Sequence, residues 1–146
     1  ELTGTLAGLT FALGNARLTA LSGLITGIAA SLSMAASEYL SARSGKDDEE
    51  ASAHPLKSSL YTGAAYVLTV VLLVIPYLVL HNPFVALAWT IANAILVILV
   101  FNFYIAVAKG LSFRRRFWEM FSISIGVAAL SFGIGLLVKL LLGVDV

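Results

Sequence analysis

LTALSGLITGIAASLSMAASEYLSA, residues Leu18–Ala42, is the stretch whose reading decides the fold. It holds a single charged side chain, Glu38, and is longer than the ~20 apolar residues that a helical membrane span requires. Its small residues are patterned. Ala29, Ser33, Ser37 and Ser41 recur every four residues and mark one stripe of a helix, and Gly23 and Gly27 form a second pair at the same spacing. In lipid, small residues let neighbouring helix backbones approach closely. The expectation is a membrane helix near the centre of a bundle.

The rest of the chain repeats this apolar character. Of its 146 residues, 60% are hydrophobic and 12% are charged, and the mean hydropathy is +0.97. A soluble domain carries about 25% charged residues, so too few polar groups remain to face water. The apolar runs are cut by short polar clusters, which predicts an all-α integral membrane bundle of five helices at about residues 1–14, 18–42, 56–80, 84–108 and 117–142. The first run is short for a span, so its helix is expected to continue in sequence upstream of Glu1. Gly14, Asn15 and Arg17 read as a tight turn, and so do His81, Asn82 and Pro83. Pro55 suits a first helical turn, and Pro76 is expected to kink the third helix near its far end. Lys109 to Arg116 reads as a basic linker.

Charge orients this bundle. With five spans, the N-terminal end, the loop from Arg43 to about His54 and the linker at 109–116 share one side. That side holds Arg43, Lys46, Lys57, Lys109, Arg114, Arg115 and Arg116, and the other only Arg17 and Lys139. Cytosolic loops carry the excess of Lys and Arg, so these loops are expected in the cytosol and the C-terminus on the opposite side. There is no cysteine, which excludes disulfides and thiolate metal sites. No basic patch interleaved with aromatics points to nucleic acid. Nothing resembles a catalytic triad, a phosphate-binding glycine loop or HExxH, so an enzyme is not expected.

Ionisable groups inside spans are the best pointers to function, because a charge at the centre of a span is costly unless it faces a partner, a cavity or an ion path. Asp47, Asp48, Glu49, Glu50 and Asp145 fall in a loop or the tail, which leaves Glu1, Glu38 and Glu119. Glu38 follows Met34 by four residues, a spacing that stacks thioether and carboxylate on one helix face. Oxygen ligands suit ferrous or manganous ions, and a thioether adds softness that helps to reject calcium and magnesium. Ser31, Ser37 and Ser41 are expected to offer hydroxyls nearby. The competing reading is that Met34 only packs and Glu38 snorkels to the headgroups. Glu119 and Met120 open the fifth helix behind three arginines, where a carboxylate favours the helix dipole or an ion pair over a ligand role. The run Asp47–Glu50 beside His54 reads as a solvated loop that focuses cations electrostatically, and His81 as turn chemistry. Asn93, Asn102 and Tyr104 are expected to form interhelical hydrogen bonds.

The run Ser33-Met34-Ala35-Ala36-Ser37-Glu38-Tyr39-Leu40-Ser41 closely resembles the second-helix signature of the vacuolar iron transporter family. The resemblance extends along the chain, to the acid-led, Gly- and Leu-rich segment Glu1–Ala16, to Pro55 and Pro76, to Lys109-Gly110, and to Gly126–Gly135. It implies a homodimeric transporter that moves divalent iron (Fe2+) or manganese (Mn2+) out of the cytosol across the lipid bilayer, coupled to protons. The ligands it implies are Glu1, Met34 and Glu38. Beside that set, Glu119 and Met120 are lesser candidates for widening the site at its cytosolic mouth. Two departures stand out. Glu1 replaces the family's usual aspartate. The long Glu-rich insert between helices two and three is reduced here to Arg43 to about His54, which is more like the branch carrying an N-terminal ferritin-like or rubrerythrin-like domain. Two other readings compete: a membrane anchor and assembly module for a soluble iron-binding domain, and a passive cation channel.

Overall fold

Short polar caps cut the apolar sequence into helices. The computed structural model describes residues 1–45 and 53–143. Its elements are α1 (Leu2–Leu13), α2 (Ala16–Arg43), α3 (Pro55–Val79), α4 (Pro83–Lys109) and α5 (Phe113–Leu142), with no strand among the described residues. The acidic run Asp47–Glu50, Lys46 and Asp145 lie outside the described residues.

Each boundary has a local cause. Gly14 ends α1 at φ 60°, a left-handed conformation that glycine adopts without steric cost, and its N–H donates to the Thr10 carbonyl. Asn15 then starts α2 by accepting from the backbone N–H groups of Arg17 and Leu18, at 3.0 and 3.2 Å. Arg17 is therefore inside the first turn of α2, not in the preceding turn. Asn82 caps α4 in the same way with Pro83 at the first helical position. Gly110 ends α4 at φ 62°. Helix α5 starts at Phe113, earlier than the expected residue 117, because arginine is a strong helix former and nothing in Arg114–Arg116 stops the helix. The expected basic linker shrinks to residues 110–112, and Glu119 moves from the first helical turn into the second.

Four helices, α2 to α5, are long and apolar enough to cross a membrane. At about 1.5 Å per residue, their 25 to 30 residues exceed the ~30 Å hydrocarbon core. Helix α1 has 12 residues and, at that rise, reaches only about 18 Å. Helix α5 has no buried residue, and large apolar side chains such as Leu32, Leu68, Val100, Leu130 and Leu140 are exposed. Such a surface suits hydrocarbon, since soluble monomers rarely expose large contiguous apolar patches.

The packing divides into two units, Glu1–Gly23 with Leu72–Val146, and Leu24–Val71. In the first, α1 meets α5 backbone to backbone. A Cβ on Gly8 would lie 2.9 Å from the Ser131 carbonyl oxygen, and one on Gly135 would lie 2.7 Å from the Gly8 carbonyl oxygen. This is the close approach that small residues spaced by four allow. Phe11 closes the end of α1 edge-on between Phe84 and Phe132. Thr10 and Tyr77 share a buried hydroxyl–hydroxyl bond of 2.7 Å.

Pro76 lies inside α3. Proline has no N–H, so the carbonyl four residues back, that of Leu72, loses its usual helical donor. Helix α4 supplies a replacement. Asn93 Nδ2 donates to Leu72 O at 3.1 Å, and Thr90 Oγ1 donates to Leu73 O at 2.9 Å. In a membrane, where water cannot satisfy a freed carbonyl, such side-chain donors from neighbouring helices are what make an internal proline tolerable.

In the second unit, α2 and α3 pack along a register of small residues. Gly27 receives the Val70 side chain, a Cβ on Gly63 would stand 3.1 Å from the Ala35 methyl, and Ser59 Oγ donates to the Ala35 carbonyl at 2.6 Å. Gly23, in the first unit, meets the Leu6 side chain, so Gly23 and Gly27 each face a neighbour, as expected of small residues. In the stripe of Ala29, Ser33, Ser37 and Ser41, the first three are exposed and Ser41 is half-buried.

Candidate functional site

Glu38 and Met34 share the second unit with the start of α3. The small-residue register brings α3 close enough for its hydroxyls to reach α2. One turn beyond the Ser59–Ala35 bond, Ser58 Oγ donates to Glu38 Oε1 at 2.5 Å. Glu38 is half-buried. Its carboxylate is thus held by a hydroxyl from the opening turns of the neighbouring helix. A carboxylate has about four lone-pair sites, so one hydroxyl donor orients it and leaves acceptor capacity for a cation or a proton.

Met34 lies one turn before Glu38 and is 43% exposed. Of the hydroxyls expected around Glu38, Ser31 is buried and bonds back to the Gly27 carbonyl of its own helix at 2.7 Å, and Ser37 faces outward. The hydroxyl that reaches the carboxylate belongs to Ser58, which sequence reasoning did not single out. Its signal was the Ser58-Ser59 pair, two short hydroxyls in the opening turns of an otherwise apolar helix.

Aromatic and basic side chains gather at the same ends of α2 and α3. The Arg43 guanidinium sits 5.9 Å from the Tyr39 ring centroid, and Lys57 Nζ sits 6.0 Å from that of Tyr61. Amphipathic rings with cations at helix ends are typical of membrane–water interfaces. A groove of about 280 Å³ runs beside Ser31, Ala35, Ser59 and Gly63. No ionisable group lines it, so it offers a metal ion little.

The other candidate residues belong to the first unit. Glu1 is exposed and precedes α1, where its carbonyl, not its carboxylate, accepts from Thr5. Glu119 accepts from Arg115 Nε at 3.2 Å, and both side chains are well exposed. This i,i+4 ion pair explains Glu119 without a ligand role, and the dipole explanation falls away because the residue is beyond the first turn. Met120 Sδ receives Asn102 Nδ2 at 3.3 Å, and the same amide donates to the Ile98 carbonyl of its own helix at 2.8 Å. Asn93 and Asn102 thus both reach a neighbouring helix, as expected of polar groups at these depths, while Tyr104 is an exposed side chain. Around the start of α5, Phe113, Phe117, Trp118 and Phe121 form a run of ring contacts next to the three arginines. Among the described residues, no three His, Cys, Asp or Glu side chains come together as a metal-ligating group. A site built on Glu38 would have to draw on thioether and hydroxyl groups as well.

Comparison with protein-family models, with curated proteins and with solved structures finds no match to this chain.

Proposed function

We propose that this chain is the membrane-embedded part of a transporter that carries ferrous or manganous ions out of the cytosol in exchange for protons, working as a homodimer. The observation that carries the reading is the arrangement at Glu38: a half-buried carboxylate on an apolar helix, oriented by Ser58 of the next helix, with the Met34 thioether one turn away. The partner is a neutral hydroxyl, so the negative charge is not cancelled and stays available to a divalent cation. Carboxylate oxygen with a thioether suits a borderline-soft first-row ion better than calcium or magnesium. The resemblance of Ser33–Ser41 to the second-helix signature of vacuolar iron transporters points the same way, and extends the ligand set to Glu1. Seven of the nine Lys and Arg residues fall on the side that the positive-inside rule assigns to the cytosol. The outward-facing Ala29, Ser33 and Ser37 give a second copy a surface of small residues, two of them with hydroxyls that lipid tails do not satisfy.

The test is ferrous uptake into proteoliposomes under an imposed pH gradient, with Glu38→Gln and Met34→Leu beside the wild type. The expected result is gradient-driven uptake that both variants lose while remaining folded and membrane-inserted. Equal behaviour of all three would make the motif structural and favour an anchoring role. Uptake that ignores the gradient would favour a passive channel.

A further inference from the structure

A second cavity, of about 390 Å³, opens at the end of the first unit, where α1 stops, α2 starts, and α3 turns into α4. Gly14, Asn15, Arg17, Tyr77, Leu80 and His81 are among the residues that line it. The volume is near the lower end of ligand pockets, which run about 300–1,000 Å³. Its chemistry is one-sided. Arg17 contributes a guanidinium, His81 adds an imidazole N–H, and no carboxylate is in the wall. Both side chains are exposed, and the one ion pair among the described residues is Arg115–Glu119, so Arg17 has no counter-charge there.

Helix ends do not reverse this. The C-termini of α1 and α3 and the N-termini of α2 and α4 all lie at this end of the unit, so their partial charges oppose one another. The amides of Arg17 and Leu18 are already taken by Asn15. The formal charge on Arg17 decides the sign. The floor is rigid: Tyr77 is fully buried and its hydroxyl is bonded to Thr10. A divalent metal ion would meet a fixed positive charge here. A tetrahedral oxyanion would meet the forked donors that match it bidentately.

We propose that this cavity binds a phosphate group. The helices that frame it end together, so if they cross a bilayer as proposed above, the cavity opens at the headgroup level, where phosphodiesters of lipids are concentrated. The inference rests on that membrane reading for the lipid as source, but not on metal transport.

The experiment uses the full chain purified in detergent. Phosphatidylglycerol, phosphatidylcholine and inorganic phosphate are titrated separately, and bound ligand is counted by native mass spectrometry. Wild type is compared with Arg17→Gln, His81→Gln, the double variant, and Lys139→Gln as a cation that does not line the cavity. We expect retention of the phosphatidyl lipids to fall at least tenfold in the double variant and to be unchanged in Lys139→Gln. If inorganic phosphate binds with the same dependence on Arg17 and His81 while lipids do not, the site is a phosphate site for a free anion. Equal retention by wild type and the double variant, or an equal fall in Lys139→Gln, overturns the proposal. Carbonate extraction from membranes is run in parallel. A chain that is washed out refutes the membrane reading itself, and one that stays while the variants bind normally refutes only the site.

Discussion

Replacing Asn93 by leucine tests the repair of α3 at Pro76. The substitution removes the amide that donates to the Leu72 carbonyl at 3.1 Å and fills its space with apolar atoms. With Pro76 in place, that carbonyl has no helical donor, so in a bilayer, where lipid tails replace water around the exposed side of α3, it is left unsatisfied. Leaving a buried acceptor unmade costs about 1–3 kcal/mol. Interhelical hydrogen bonds in membranes average about 0.6 and reach about 1.7 kcal/mol. A cost of about 1.5 kcal/mol is therefore expected, because this carbonyl lacks the fallback that most have. In a Pro76→Ala background, the restored N–H at position 76 reclaims Leu72 O, and the same Asn93→Leu change should cost about 0.5 kcal/mol or less. The coupling, about 1 kcal/mol, is the diagnostic quantity. Pro76→Ala alone has no reliable sign, since a helical N–H is gained while a fully buried ring is lost, but the cycle cancels that ambiguity.

The assay is reversible unfolding in mixed micelles with increasing SDS, followed by circular dichroism, on the four chains of the cycle. Thr90→Val is the control. Thr90 also donates to α3, at Leu73 O, but that carbonyl keeps its ordinary donor, the N–H of Tyr77, so Thr90 should not couple to Pro76. Additivity of Asn93→Leu and Pro76→Ala within about 0.3–0.5 kcal/mol would refute the reasoning. Equal coupling at Thr90 would also refute it, because the effect would then be general to the α3–α4 contact.

Gly8→Ala should destabilise the chain by about 1–3 kcal/mol in the same micelle assay, because its Cβ would stand 2.9 Å from a backbone oxygen of α5; Gly133→Ala, with nothing within 4 Å, should be neutral or slightly stabilising, and the reverse order would contradict the described crossing. Thr19 is fully buried and its hydroxyl has no hydrogen-bond partner, so Thr19→Val should raise stability by about 1 kcal/mol, read as a shift in unfolding midpoint. Ser58→Ala should lower ferrous uptake several-fold, with the larger change in apparent affinity, and Ser58→Thr should restore most of it. Ser37→Cys should form an intermolecular disulfide under mild oxidation in the bilayer if two copies meet through the exposed face of α2, and the chain has no cysteine to confuse the result.

The helices were legible because hydropathy, not subtle pairing, defines them. A run such as Leu18–Ala42 admits no other regular structure in lipid, and Asn15, Asn82, Gly14 and Gly110 mark their ends in letters. The errors came where local chemistry is permissive. Arg114–Arg116 looks like a loop by charge, yet nothing in it breaks a helix, so α5 extends through it. The two small-residue stripes of α2 are indistinguishable by spacing, and only the positions of Leu6, Val70 and Val74 decide that Gly23 and Gly27 face neighbours while Ala29, Ser33 and Ser37 do not. Met34 and Glu38 were visible from their spacing. Ser58 was not, because a serine near a helix start is ordinary until the register of α3 against α2 is known, and register is a property of packing.

Among the described residues, the two carboxylates within helices, Glu38 and Glu119, differ in what holds them. Glu119 is exposed beside Arg115, and each charge neutralises the other. A cation approaching that pair would have to displace an arginine, and losing the pair would cost little, as exposed i,i+4 pairs contribute about 0.3–0.5 kcal/mol. Glu38 is half-buried and has a hydroxyl for a partner. A hydroxyl supplies one hydrogen bond but no compensating charge, so the ionised form is oriented without being neutralised. For packing alone such a residue is a poor choice, since an apolar side chain of similar volume would remove the desolvation cost. The arrangement makes sense if a positive charge arrives there for part of the time, as a proton or a metal ion, and Ser58 holds the carboxylate in the same place for either one.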